Sequence, residues 1–261
     1  MKILAFTSIR SEYDLLSPLL KKIKADENID LQILIGGAHN SSSFGETKKH
    51  IYKDDFNVLL EVESLIDANS LSSRLKGLSV LAQSSIDAIK KFSPDLIIYA
   101  GDREDVMVAA LTGVYLEIPT IHFYGGDHAS DGYVDNAIRH AVSKLSSFHF
   151  VSCDTHLQRL KSIGEKESRI FNIGSIALDS FSNHKLENNI IEKISGKKTI
   201  KKTALVIYHP FSSESICCNL VLKNIINSLL DFGYHCLCGI PNSDPGNFSI
   251  RELLNKYSNE S

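Results

Sequence analysis

The stretch Asp95–Tyr124, DLIIYAGDREDVMVAALTGVYLEIPTIHFY, decides the fold. It opens on LIIYA (96–100), an unbroken apolar run rich in β-branched and aromatic side chains, the pattern of a short strand buried on both faces. A Gly-Asp-Arg turn follows at 101–103. EDVMVAALTGVYL (104–116) then carries apolar residues at helical spacing, and IPTIHFY (118–124) is extended and apolar again. Strand, helix and strand in that order make a βαβ unit, whose strands run parallel.

The alternation continues in both directions. Upstream, KILAFT (2–7), DLQILIG (30–36) and FNVLLEV (56–62) read as strands, with a Ser/Gly/Lys loop after the second. Helices are expected at YDLLSPLLKKIK (13–24) and near 70–91, where Leu71, Leu75, Leu78, Leu81, Ile86 and Ile89 form a stripe. Downstream, helices at 133–145 and 155–163 alternate with strands at 148–152 and 169–174. This predicts an α/β fold with a parallel sheet covered on both faces. Ligands of such sheets sit beyond the carboxyl ends of the strands, which selects the loops 7–13, 36–44, 101–104 and 124–133.

Residues 1–180 are expected to form one Rossmann-like domain and the polar, basic stretch 181–202 a connection. Residues 203–261 then supply part of a second domain, with strands in TALVIYHPFSSES (203–215) and YHCLCGIPNSDPG (234–246) around a helix at 216–231 and a short helix at the end. Two parallel strands do not make a stable domain alone. The chain is therefore expected to be part of a longer protein.

With 261 residues, 43% of them apolar, the chain can bury one large domain or one and a half smaller ones. A net charge of −3 argues against a broad basic face for nucleic acid. The start, MKILAFTSIRSEYD, reads as a strand rather than a signal peptide, and no run approaches a membrane span. The five cysteines (153, 217, 218, 236, 238) include no CxxC pair and read as buried, reduced thiols, which points to a cytoplasmic protein. Neither GxGxxG after the first strand, a P-loop, nor HExxH is present, which argues against NAD, ATP and zinc. No cofactor and no metal is expected.

Several residues stand where chemistry is expected. Asp102 either caps the following helix or faces the ligand crevice, and Arg103 offers a fork for phosphate or carboxylate. Arg10 follows the first strand, where anions collect. His209, Ser212 and Ser213 follow a strand of the second domain, where hydroxyls and free N–H groups suit a diphosphate or simply cap a helix. HFYGGDHASDGYVDNAIRH (122–140) crowds three His and three Asp around Gly125 and Gly126. Its alternatives are a metal site, an acid–base site or a solvated turn. Asp135 and Arg139 are spaced i, i+4 and can pair on a helix.

In combination, SIRSEYDLL (8–16), GGAHNSSSFGET (36–47), PDLIIYAGDRED (94–105), HFYGGD (122–127), DNAIRHAVSKLSSFHF (135–150), RIFNIGSIALD (169–179) and YHP (208–210) resemble the UDP-N-acetylglucosamine 2-epimerase family, hydrolysing branch, along nearly the whole chain. The resemblance implies two Rossmann-like domains of GT-B-like arrangement with a UDP-amino-sugar between them. It implies C2 proton abstraction, anti elimination of UDP and addition of water. By it, Asp102 and Asp135 are the acid–base carboxylates. Arg10, Arg103 and His209 hold phosphate or orient the site, as does Ser213. His39 lies in the sugar-nucleotide pocket, and Gly125, Gly126 and Asp127 form the Gly-Gly-acidic turn. Relatives show Glu or His where this chain has Tyr124; a phenol, with a pKa of about 10, does not replace a carboxylate as base near neutral pH, but Tyr124 is kept as a third catalytic candidate that donates a hydrogen bond to a leaving or incoming oxygen. Homo-oligomers, dimer or tetramer, are expected, with no nucleic-acid or membrane partner. The alternatives are a sugar-nucleotide-binding relative without turnover and a GT-B glycosyltransferase.

Overall fold

A computed structural model describes residues 1–68, 71–130, 134–182, 189–196, 198, 202–209, 217–241 and 246–260. The chain divides into two compact units, one of residues 1–66 with 72–184, the other of 67–71 with 185–261.

The first unit alternates β1 (Lys2–Thr7), α1 (Arg10–Lys24), β2 (Asp30–Ile35), α2 (Lys48–Lys53), β3 (Asn57–Glu61), α3 (Leu71–Phe92), β4 (Leu96–Ala100), α4 (Glu104–Tyr115), β5 (Thr120–Phe123), α5 (Val134–Leu145), β6 (Phe148–Val151), α6 (Asp154–Ser162), β7 (Ile170–Asn172) and α7 (Asp179–Ser182). Its strands form one parallel sheet in the order β3-β2-β1-β4-β5-β6-β7. The chain runs outward from β1 to β3, then returns to place β4 on the other side of β1. That reversal is a topological switch point, where the connections leave β1 and β4 in opposite directions and open a crevice.

Strand pleating divides the core into two layers. Leu4 and Phe6 of β1 and Ile97 and Tyr99 of β4 face Leu81, Ile89, Val106 and Val142 from α3, α4 and α5. The alternate residues Ile3, Ala5, Ile98 and Ala100 face Tyr13, Leu16, Leu20 and Ile51 from α1 and α2. With both faces covered, the strands need apolar side chains at every position, which is why they read as continuous runs.

The expected stripe on α3 is corrected. Leu81 and Ile89 are buried, but Leu75 is 67% exposed and Ile86 is exposed too. The buried face instead follows Ser73, Gly77, Leu81, Ser85, Ile89 and Phe92. Gly77 allows this: a Cβ there would lie 2.4 Å from the Ser64 carbonyl oxygen. α2 was expected as loop.

The second unit carries α8 (Ile190–Ser195) inside the expected connection, then β8 (Thr203–Val206), α9 (Cys218–Asp231), β9 (His235–Cys238) and α10 (Asn247–Glu260). β8 and β9 pair in parallel as a two-stranded sheet. Val206, Cys218, Leu222, Ile226 and Ile250 make its core. All five cysteines are free, but only Cys218 is buried, and Cys217 is exposed, so the expectation of five buried thiols does not hold. Among the described residues, no helix is long and apolar enough to cross a membrane.

Candidate functional site

The switch point gathers buried polar groups at the carboxyl ends of β1, β2 and β4. Glu12, in the first turn of α1, accepts the backbone N–H of Ser8 at 2.8 Å and of Ile9 at 3.3 Å. This is the reciprocal half of a capping box, and it closes the β1–α1 turn. The Ser8 hydroxyl also reaches Asp105 in the first turn of α4. Gly37, at φ +50°, lies against Ser8, where a Cβ would stand 2.9 Å from the Ser8 carbonyl oxygen. Burial raises the carboxyl groups of Glu12 and Asp105 well above the ordinary carboxylate range, and a neighbouring carboxylate adds to each shift: Asp105 for Glu12, Glu104 for Asp105.

Beside this cluster lies a lattice of ion pairs. Asp102 does not cap α4; that position is Arg103, which makes no side-chain cap bond. Asp102 instead pairs with Nη2 of Arg139 on α5. Arg139 Nη1 donates to the Tyr124 carbonyl at 2.9 Å. The Asp135–Arg139 pair suggested by helical spacing is thus replaced by a tertiary partner. Asp135, one turn earlier on α5, stands 3.7 Å from Nη2 of Arg74 on α3. Arg74 grips Glu104 with two bonds, Nε to Oε1 at 3.0 Å and Nη2 to Oε2 at 2.5 Å. The two expected acid–base carboxylates therefore share one neighbourhood, between the first turns of α4 and α5.

His122 lies in the middle of β5, fully buried. Its Nε2 is 2.8 Å from the Gly101 carbonyl and its Nδ1 is 3.1 Å from the Ser143 hydroxyl. Gly125 packs against this ring. Gly126, at φ +77°, admits no side chain: a Cβ would sit 2.3 Å from the His156 carbonyl oxygen. Asp127 meets Nε2 of His156 at 3.2 Å and accepts the His128 N–H at 2.7 Å. Tyr124 takes a left-handed backbone, φ +62°; its hydroxyl receives the Ala177 N–H at 3.2 Å and lies 3.4 Å from the Ser175 hydroxyl.

Arg10 and His39 are placed differently from expectation. Arg10 is not in a loop but begins α1; it is 66% exposed and paired with Asp14 at 3.2 Å. His39 is fully buried, with Nε2 2.9 Å from the Thr7 hydroxyl and Nδ1 2.7 Å from that of Thr47. Both nitrogens being engaged, it clamps the β2 loop to β1 and offers no open edge to a substrate. Burial pushes its pKa down to about 4, so the ring stays neutral. His209 is exposed beyond the carboxyl end of β8. Ser213, Ser212 and Asp131 lie outside the described residues. Among the described residues no group of three His, Cys, Asp or Glu stands ready for a metal.

Sequence reading missed Arg74, Glu104, Asp105, His122 and Ser143 as parts of this site. Arg74 is hidden in an ordinary helix, and only the fold brings it to Glu104. Glu12 did carry a signal, a Glu in the first helical turn after the first strand.

Comparisons with known proteins agree along the chain. Residues 21–260 match the family described as UDP-N-acetylglucosamine 2-epimerase. The UDP-N,N'-diacetylbacillosamine 2-epimerase (hydrolyzing) of Legionella pneumophila is 32% identical over 259 residues, 98% of this chain and 68% of that protein. The GDP/UDP-N,N'-diacetylbacillosamine 2-epimerase (hydrolyzing) of Campylobacter jejuni is 32% identical over 258 residues, 98% of this chain and 67% of that protein. The chain thus spans about two thirds of their length. The crystal structure of UDP-GlcNAc 2-epimerase from Neisseria meningitidis bound to UDP-GlcNAc superposes with a TM-score of 0.77 over 98% of this chain and 70% of that one, at 16% identity. At that identity the likeness speaks for the fold.

Proposed function

Because the chain belongs to the UDP-N-acetylglucosamine 2-epimerase family, we propose that it carries the acid–base carboxylates of a hydrolysing UDP-amino-sugar 2-epimerase. A 2,4-diacetamido sugar of the bacillosamine type, as in the names of the two relatives, is the first substrate to test and UDP-N-acetylglucosamine the second. In this reading Asp102 removes the proton on sugar C2. The C1–O bond to UDP breaks with its electron pair leaving on the diphosphate, and a C1=C2 double bond forms. Water then adds at C1 while a proton returns to C2 from the opposite face, with Asp135 as its carboxylate. Removing a weakly acidic C–H needs a held base, and expelling a diphosphate needs cations nearby. Arg103 and Arg10 are the cations of this edge; His209 and Ser213 are assigned to the diphosphate on the resemblance alone.

The observation that supports this most is the ion-pair lattice. Arg139 pairs with Asp102, and Arg74 pairs with Glu104 and stands 3.7 Å from Asp135, which supports a shared role for the two carboxylates beyond the carboxyl ends of β4 and β5. We assign Tyr124 to holding the 175–177 turn, because its hydroxyl is already engaged there.

The test is incubation with each UDP-sugar in deuterated water, following C2–H and free UDP by NMR. Wild type should exchange C2–H and release UDP. Asp102→Asn, which keeps shape and removes the base, should lower both by about a thousandfold. Undiminished exchange in Asp102→Asn would remove that residue from the chemistry. A second reading, binding without turnover, rests on Tyr124 standing where the resemblance implies a carboxylate or imidazole. It predicts a retained UDP-sugar complex with C2–H untouched.

A further inference from the structure

We propose that His122 is a positioning residue for Asp102, a buried imidazole that ties the peptide before Asp102 to the helical turn of Arg139; the role in turnover rests on the function proposed above. The need arises at Gly101. It adopts φ +97°, and a Cβ there would meet nothing within 4 Å. No side chain anchors this residue, and glycine has the widest backbone freedom of any residue. Hydrogen bonds hold it instead. The Gly101 N–H donates to the Phe123 carbonyl at 3.2 Å, and its own carbonyl lies 2.8 Å from His122 Nε2.

The tautomer follows from the partners. A carbonyl only accepts, so Nε2 carries the hydrogen. Complete burial keeps the ring neutral, its pKa pushed down to about 3. Nδ1 is then bare and accepts from Ser143, 3.1 Å away. The Ser143 hydroxyl also lies 3.0 Å from the Arg139 carbonyl, one turn back on α5, and its single hydrogen serves one acceptor at a time. The Gly101 carbonyl, just before Asp102, is thus bonded to the ring, and the ring meets the Arg139 turn of α5 through Ser143 when that hydroxyl donates to Nδ1 rather than to the Arg139 carbonyl. A swing of Gly101 would carry Asp102 off its partner, and a misplacement of about 1 Å costs up to about a hundredfold in rate.

The test compares His122→Leu, His122→Gln and Ser143→Ala with wild type. His122→Leu should lower kcat for C2–H exchange about 30-fold with KM within about twofold. His122→Gln, whose amide N–H can replace the bond to Gly101, should recover most of that loss. Ser143→Ala should cost about fivefold. Equal loss in the Gln and Leu variants, or unchanged kcat in His122→Leu, would overturn the proposal. Ring 15N shifts of wild type give a reading that needs no turnover: a hydrogen on Nε2 and a bare Nδ1 support it, and the opposite tautomer or a charged ring refutes it. If wild type turns nothing over, the function reading fails on its own. The Asp102 carboxyl and Arg139 guanidinium signals then decide the positioning. They should change in His122→Leu and persist in His122→Gln, and no change in His122→Leu refutes it. Should His122→Leu not fold, the Gln and Ala variants carry the same comparison.

Discussion

Arg139 is the side chain around which the candidate site is assembled. Only 12% exposed, it donates to Tyr124 and faces Asp102, itself 22% exposed. Burial pushes its guanidinium down to about 10, still charged at neutral pH. A half-buried pair adds little stability while intact, but removing one partner strands the other charge. Arg139→Met should therefore lower stability by about 2–3 kcal/mol in urea unfolding. Arg139→Lys keeps the charge but cannot hold a carboxylate and a carbonyl in one plane, so it should recover less than half of that. A lysine variant as stable as wild type would mean that charge alone matters. The residues of this pair were legible one by one, Asp102 from its place after a strand and Arg139 from its motif. Their pairing was not, because helical spacing pointed Arg139 to Asp135 and only the neighbouring β4–α4 turn supplies the stronger partner.

At the scale of elements, the strands were readable because burial on both faces leaves few polar positions, such as His122 and His149, to confuse the pattern. Short polar helices were not: KKHIYK of α2 and IIEKIS of α8 carry too few turns for periodicity to register. On α3 the leucines misled, because the face that packs is chosen by close approach at Gly77 rather than by apolar content. That gives a prediction opposite to helix propensity. Gly→Ala inside a helix ordinarily stabilises by about 1 kcal/mol. Gly77→Ala should instead lower stability by about 2 kcal/mol or more, because the new methyl meets the Ser64 carbonyl oxygen at 2.4 Å. A raised melting temperature for Gly77→Ala would show that α3 can shift outward without loss.

For the whole molecule, strand order is the property that sequence did not contain. Composition announced a parallel sheet, but the reversal between β1 and β4 that brings Ser8, Glu12, Asp102 and Asp105 together is set by tertiary connections. The same reversal gathers titratable groups whose folded and unfolded acidities differ. Glu12 and Asp105 are raised in the folded state, so the stability tied to their neutral forms is complete in acid and lost as pH climbs through the raised values. His39 and His122 are lowered, so theirs is complete above about pH 6.5 and lost as pH falls. Of these four groups only the carboxyls still titrate above about pH 7, and through them stability in urea should decline with rising pH. Glu12→Gln should flatten that decline; an unchanged slope would place the ionisation elsewhere.

The two-stranded sheet of the second unit has a different consequence. Among the described residues this sheet holds only β8 and β9, so each strand has a border without a partner there, and Leu205, Ile207 and Ile240 stand largely exposed on or just beyond these strands. Unpaired strand borders flanked by apolar side chains invite intermolecular zippering. Colloidal behaviour of the concentrated protein should thus be governed by residues 203–207 and 235–240, and a lysine at Leu205 is the place to begin improving solubility.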